Sequence, residues 1–486
     1  MSFFLLSKIK QEADSIDFKK TVDRPVPPLS VDLLVIPIID KVAYSRILDR
    51  KFNYWNEICI SGAFYDDLEI LKLEEKYIEE AFQQDAEFLY KKANLAEELG
   101  ATLIIQSQKF SQLNLKKIDR EKLSHAFKKY LDCVISFVPF FTFIISSGNL
   151  LEKIIKKRIL KIVKDEQTAQ EYTILATNPS KPNQHLSEEM ELLEIAQKFH
   201  AGKKIDKLLT QHLEKYAHIG FRGQEKRFWT KNDLLQRIEV VQNPAKELNK
   251  IVENRQKMSR ESNKIFKIIK ADKDLEKLIK NARKYVWLRT YRSDVYNQAF
   301  GTAAQFLDLF VQKEGYKSGE YLLFSVEDFL TGKYPISNEL LVRKKAFAAI
   351  CINNQLYHLS GDEALEFKKF LDDKNELGDK IKGTVANRSV KQVRGVVRIV
   401  FNPKDLSKVK KGDIIVATMT TPNFVPAMKR VAGFITDEGG ILCHAAIISR
   451  EMNKPCIVGT GNATRVLKDG DKIIMDLEKG EVNKIK

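Results

Sequence analysis

Apolar residues recur three and four positions apart over long stretches of this chain, and the C-terminal part abandons that spacing. One face of an α-helix produces such a pattern. It runs through residues 68–100, 119–130 and 188–204 and, with breaks, 248–315. Ser187, ahead of Glu188 and Glu189, predicts a helix N-cap with acidic residues in the first turn. The run Asn178-Pro179-Ser180-Lys181-Pro182-Asn183 predicts a loop that divides the helical part. Beyond residue 380, short Val/Ile runs separated by Gly and Asp turns predict strands with two short helices. Glycine follows the same division: twelve of the 22 fall in the first 380 residues and ten in the remainder. The expected architecture is multidomain, with a large mainly α-helical N-terminal region (1–380, subdivided near 178–187) and a C-terminal α/β domain (381–486).

One apolar run tests this picture. Residues 133–151 carry no charge, a length close to the ~20 residues of a membrane helix. Pro139 interrupts the run and Ser146-Ser147-Gly148-Asn149 ends it, so a buried helix of a large helical domain is expected and a membrane span is not. With 44% hydrophobic and 30% charged residues, the composition is that of a folded chain and excludes disorder. Five scattered cysteines without paired spacing fit a reducing compartment, and a cytoplasmic location is expected. Met-Ser-Phe-Phe-Leu-Leu-Ser is too short an apolar run for a signal peptide, and Lys8 and Lys10 follow it instead of preceding it.

The net charge of +16 gathers in two places, Lys153 to Lys164 and Arg255 to Lys280. In the first, Lys and Arg interleave with Ile, Leu and Val, and acidic residues are interspersed elsewhere. That alternation predicts solvated helix faces, and a nucleic-acid partner is not expected.

The densest chemistry lies in Thr436-Asp437-Glu438-Gly439-Gly440-Ile441-Leu442-Cys443-His444-Ala445-Ala446-Ile447-Ile448-Ser449-Arg450-Glu451. A short strand is predicted to enter the paired-glycine turn, with His444 in the first turn of the helix that follows. Glycines admit close approach of a bound group, and free amides at a helix start favour an anion such as phosphate. The same field favours the neutral, nucleophilic imidazole, which reversible phosphorylation of a ring nitrogen requires. Taken alone, such a histidine is more often a capped surface or core residue. A zinc site built from Cys443, His444 and Cys456 has the wrong spacing for a finger and lacks a fourth ligand, so no metal is assigned.

The surroundings decide between these readings. They comprise Gly395-Val396-Val397-Arg398-Ile399-Val400, Lys411-Gly412-Asp413-Ile414-Ile415-Val416, the run from Met419 to Arg430, Lys454-Pro455-Cys456-Ile457-Val458-Gly459 and Asp469-Gly470-Asp471. From Gly383 onward the chain resembles the swivelling phosphohistidine (mobile) domain of phosphoenolpyruvate synthases, pyruvate, water dikinases and related PEP-utilising enzymes. Where relatives often carry Asp-Pro-Asp-Trp, this chain has Thr421-Pro422-Asn423-Phe424, which keeps the turn and the aromatic plug. The resemblance implies that His444 carries a phosphoryl group, that Gly439 and Gly440 present amides to it, and that the stretch from Gly378 to Arg394 is a hinge. Arg450, six residues after His444, is expected to face elsewhere and to be structural.

The helical region is similar, less specifically, to that of rifampin-phosphotransferase-like proteins, through Asp23-Arg24-Pro25-Val26, Tyr216-Ala217-His218, Arg222-Gly223 with Glu225, Arg283 to Arg289, and Tyr321 to Phe329. In such proteins this region can hold the acceptor. Arg289 and Arg292 are the candidates for an anion-binding acceptor cleft, whereas Trp287 and Tyr291, at helical spacing, are expected in the core. No glycine-rich nucleotide loop is found, and an ATP-grasp domain is not recognised ahead of the helical region. The resemblance therefore implies a transferase of phosphorus-containing groups that binds no cofactor directly. A separate ATP-grasp subunit would supply ATP and Mg chemistry, and an unknown small molecule would be the acceptor. An adaptor that retains the domain for binding, and a basic nucleic-acid-binding protein, are the alternatives.

Overall fold

A computed structural model describes the chain except residues 1, 24–25, 39, 52–54, 180, 223–227, 270–272, 375–379, 402, 421–423, 441–442 and 486. At 2–3, 22–23, 38, 167, 222, 403–404, 425–426, 444 and 451 it describes the backbone alone. The chain forms two compact units, Met1–Ser147 with Gln298–Glu376, and Gly148–Asn297 with Leu377–Lys486. The last segment of the second unit begins at Leu377, close to the expected boundary at 380/381, while the other divisions fall at 147/148 and 297/298. Residues 148–297 group with the C-terminal segment and not with the rest of the helical region.

In the first unit, helices surround a five-stranded antiparallel sheet that the periodicity does not predict. Its strands are β1 (Phe18–Asp23), β2 (Glu57–Ile60), β3 (Ala63–Asp67), β4 (Phe347–Ile352) and β5 (Gln355–Ser360), in the order β1-β3-β2-β4-β5. Ile58, Ile60, Ala348, Ile350 and Ile352 form one core with Ile9 and Ala13 of the Ser2–Asp14 helix and Phe367 and Leu371 of the Asp362–Lys374 helix. Every residue of β2 and β4 is buried, so neither strand shows the alternation that marks a half-exposed strand.

Burial in this unit extends to carboxyl groups. Glu57 and Asp66 stand opposite each other on β2 and β3. Burial raises both, and Asp66, bonded by the Thr21 hydroxyl, reaches about 6. Glu74 accepts from the Tyr44 hydroxyl and, at 2.7 Å, from Ser146 Oγ, and burial lifts its pKa to about 7. The folded state thus keeps a proton that the unfolded chain releases near 4.5. Stability from this group is complete below that value and is lost as pH rises through 7. Glu74→Gln, which mimics the neutral acid, is expected to remove a loss on the order of 3 kcal/mol between pH 5 and 8. Denaturant melts of both proteins at the two pH values test this; an unchanged pH dependence in the variant would show that Glu74 is not the proton-holding group.

The apolar run at 133–151 is not one helix but parts of two, Arg120–Phe137 and Phe140–Val163. Pro139, which has no N–H for an i→i−4 bond, lies between them. Phe137, Val138, Phe140 and Phe143 are fully buried. Among the described residues one stretch, Arg120–Val163, is long and apolar enough to cross a membrane, and 67% of its apolar window is buried inside the protein. The helix expected from residue 188 begins earlier, at Gln184. Its cap is Asn183, whose Oδ1 accepts from Leu186 N at 2.8 Å, and Ser187 lies within the first turn.

The second unit joins helices of 148–297 to an eight-stranded sheet. Its strands are β6 (Ile381–Lys382), β7 (Thr384–Asn387), β8 (Gln392–Ile399), β9 (Ile414–Ala417), β10 (Gly433–Thr436), β11 (Cys456–Val458), β12 (Lys472–Asp476) and β13 (Glu481–Lys484). Their order is β6-β13-β12-β8-β9-β10-β11-β7, with β8 to β11 parallel. β6 and β7 pair with opposite ends of this order, yet only Gly383 separates them, so the sheet closes on itself. A Cβ at Gly383 would lie 2.6 Å from Val458 O, which is why the joint is glycine. Of the expected hinge, residues 381–382, 384–387 and 392–394 are strand; 378 and 379 lie outside the described residues. On the basic helix Phe140–Val163, Lys153, Lys157, Arg158 and Lys161 are exposed while Leu151, Ile155 and Ile159 are buried, as a solvated amphipathic face requires.

Candidate active site

β10, wholly buried, delivers the chain into the glycine turn, and the helix His444–Glu451 leaves it. Asp437, which sequence reasoning passed over, fixes the turn. It accepts from Thr460 Oγ1 at 2.8 Å, from Thr464 N at 3.2 Å and from the Thr464 hydroxyl. The adjoining backbone is tied by Thr460 N to Thr436 O (3.1 Å) and Gly461 N to Asp437 O (3.0 Å). Gly439 has φ +100°, and a Cβ there would stand 2.7 Å from the Cys443 side chain. At Gly440 a Cβ would meet nothing within 4 Å, so the backbone is open on that side.

Cys443 is the N-cap, with extended backbone; its amide donates to Gly440 O at 3.0 Å and its carbonyl receives Ile447 N at 2.9 Å. His444 is the first residue of the helix, so its own amide is one of those that the helix leaves without an intrahelical acceptor. Burial pushes the Cys443 thiol up, opposed by the amides of Ala446 and Ala445 and by the charges of Arg289 and Arg450. Cys456 lies in the same buried cluster on β11.

Arg289 belongs to the long helix Lys273–Lys313 and to the second unit. Its Nη2 donates to Asn149 Oδ1 at 2.6 Å, and glycine at 148 leaves space for its guanidinium. Burial lowers its pKa; Glu152 and Cys443 oppose this. Glu152 is itself raised by burial and drawn down by Arg289, Arg450 and Lys156. Arg289, Arg450, Glu152 and Cys443 therefore share one electrostatic neighbourhood at the start of the histidine helix. Arg450, in the last turn of the histidine helix, is half-buried, and its charge acts on Glu152 and Cys443. Arg292 is turned back on its own helix, Nε donating to Arg289 O at 3.2 Å.

The blocks that suggested the helical resemblance are dispersed. His218 Nε2 meets Gln184 Oε1 at 2.8 Å in a buried tie, and residues 223–227 lie outside the described residues, as do 24–25 and 421–423. Trp287 and Tyr291 stack with centroids 4.6 Å apart, but both residues are only half-buried, so the core expectation is corrected: Trp287 lines a cavity.

A family profile described as "PEP-utilising enzyme, mobile domain" matches residues 409–480, which hold the glycine turn and the histidine helix. Residues 409–480 are a PEP-utilising enzyme mobile domain. Over 88 residues the chain is 59% identical to a probable phosphoenolpyruvate synthase of Archaeoglobus fulgidus, covering 18% of this chain and 12% of that protein. Over 90 residues it is 52% identical to the phosphoenolpyruvate synthase of Pyrococcus furiosus, covering 18% and 11%. The chain thus spans about an eighth or less of the length of these relatives. A solved structure of Enzyme I (nEIt) aligns with 76% of this chain and 81% of its own at 14% identity; its TM-score of 0.18 carries no structural argument.

The mobile domain meets the helices of its unit where Ile447 packs with Ile174 and Val286 and Lys429 pairs with Glu189 at 3.0 Å and Glu247 at 3.7 Å. Exposed ion pairs of this kind contribute about 0–1 kcal/mol each.

Proposed function

We propose that this chain is the carrier component of a phosphohistidine-dependent phosphotransferase: His444 accepts a phosphoryl group and passes it to a small-molecule acceptor. What carries the reading is the histidine at the first position of a helix after a glycine turn, within a segment closely similar to phosphoenolpyruvate synthases. The open side of Gly440 and the first-turn amides would face the phosphoryl oxygens, where partial positive charge is concentrated. Arg289 would add a permanent cation, with Arg292 holding its helix turn and Arg450 and Glu152 tuning the local charge. In the loading step a ring nitrogen attacks the donor phosphorus and the donor leaves with its bonding electrons. A phosphoramidate keeps a high transfer potential, and a domain that swings can carry it from one site to another.

The donor is proposed to be an ATP-grasp module on a separate partner, which would hold ATP and Mg. Incubation of the chain with labelled ATP, Mg and a candidate ATP-grasp partner, followed by intact-mass analysis, tests the reading. One acid-labile phosphoryl group, mapped to the peptide containing His444 and dependent on the partner, is expected. No labelling beside an otherwise active partner would favour the adaptor reading. Labelling without the partner would reveal a nucleotide site in this chain.

A further inference from the structure

Beside the histidine helix, the second unit encloses a cavity of about 290 Å³ between the 178–183 loop and the helices Pro244–Ile268 and Lys273–Lys313. Its size is at the lower end of small-molecule sites. Ile447 closes one side; it lies one turn after position 444 on the same face of its helix, about 4.5 Å along the axis. Lys181, Arg255 and Arg283 line the cavity, and among the described residues no carboxylate does. Neither Arg289 nor Arg292, the residues expected to form an acceptor cleft, lines it.

Two features make this more than a basic dent. Trp287, also in the wall, is stacked on Tyr291, and Lys181 Nζ sits over its indole ring 4.0 Å from the centroid. The indole thus holds a cation in the cavity wall. Arg283 is held in place by bonds from Nε to Ala176 O (2.7 Å) and from Nη2 to Ser262 Oγ (2.6 Å), both neutral acceptors. Among the described residues no acidic side chain pairs with it, and burial lowers its pKa without an opposing anion. A half-buried guanidinium fixed by neutral groups is stabilised by an incoming anion, and its planar fork suits a carboxylate or phosphate.

We infer that this cavity binds the phosphoryl acceptor, a small molecule bearing an anionic group and a hydroxyl: anion toward Arg283 and Lys181, hydroxyl toward position 444. The assignment of the acceptor rests on His444 being the carrier; the binding chemistry does not. In the step itself the acceptor oxygen attacks phosphorus, the P–N bond breaks, and the hydroxyl proton ends on the ring nitrogen that phosphorus leaves.

The test uses the full chain and a probe set of 3-hydroxybenzoate, its uncharged amide and phenyl phosphate, read by tryptophan fluorescence and calorimetry. Both anions are expected to bind, the amide at least about 10-fold more weakly, a difference of ~1.4 kcal/mol. Lys181→Gln, on an exposed side chain, and Arg283→Gln should each weaken anion binding several-fold, and Trp287→Ala should abolish the quenching. Absence of binding by either anion at roughly 10 mM, beyond the range of specific weak complexes, would overturn the inference. Equal binding of the amide, or full binding by Lys181→Gln together with Arg283→Gln, would do the same. Labelling of His444 without anion binding sinks this inference and leaves the carrier reading intact. Anion binding without labelling keeps the site and removes its role as acceptor pocket.

Discussion

His444→Gln is expected to lose all acid-labile phosphate and to reduce transfer to any acceptor by at least about 10⁴-fold, the scale seen when an obligate nucleophile is removed. Glutamine fits the first turn of a helix and preserves a polar side chain, so the fold is not at stake. The helix is anchored independently of position 444. Ala445, Ala446 and Ile448 pack against Phe434, Cys456 and Val458, and Asn387 Nδ2 caps the far end by donating to Ser449 O at 2.9 Å. Melting temperature and the circular dichroism spectrum should therefore match the wild type while labelling vanishes. Retention of an acid-labile phosphate by a folded variant would move the carrier to another residue, among which His185 and His218 of the same unit would be examined first.

How much of this was legible in the sequence depends on where the information resides. The glycine turn and the histidine form a contiguous signal, and they resolve as one strand, one turn and one helix. Helix positions were legible for the same reason, although starts were not: Asn183, and not Ser187, caps its helix, because a cap is fixed by backbone geometry that two adjacent polar residues can equally suggest. The sheet of the first unit was invisible. Its strands come from 18–67 and 347–360, and the buried runs Glu57–Ile60 and Phe347–Ile352 lack the period-2 pattern. The grouping of 148–297 with the C-terminal segment was equally hidden, since the division falls inside the helices Phe140–Val163 and Lys273–Lys313, where no loop or glycine cluster marks it. Arg289 was chosen for its charge, and its link to Cys443 is a matter of tertiary packing. The cavity wall draws on residues around 178–183, 255–263, 283–290 and Ile447; the loop, the basic stretch and Trp287 had each been visible, Trp287 as core, but their meeting was not.

Gly459→Ala should be a strongly damaging small change in the mobile domain, and its cause lies at the phosphate loop. Gly459 has φ +71°, a conformation that costs an alanine about 1 kcal/mol or more. Its Cβ would also stand 2.7 Å from Gly439 O, a backbone atom that cannot swing aside as a side-chain end can. The neighbouring bonds, Thr460 N to Thr436 O and Gly461 N to Asp437 O, hold the 459–461 segment against the glycine turn, so the strain cannot be relieved by moving this segment away. A loss of about 3–5 kcal/mol is expected, from overpacking added to the backbone term. The displaced atom is the carbonyl of the residue that precedes Gly440, so whatever fraction stays folded should also label slowly. Gly412→Ala is the control. Its φ is +87° but nothing lies within 4 Å of the added Cβ, so it isolates the backbone term. Chemical denaturation and initial labelling rates of the two variants separate the contributions. If Gly459→Ala is no worse than Gly412→Ala in both, the close approach of 459 to 439 is not what shapes the loop ahead of His444.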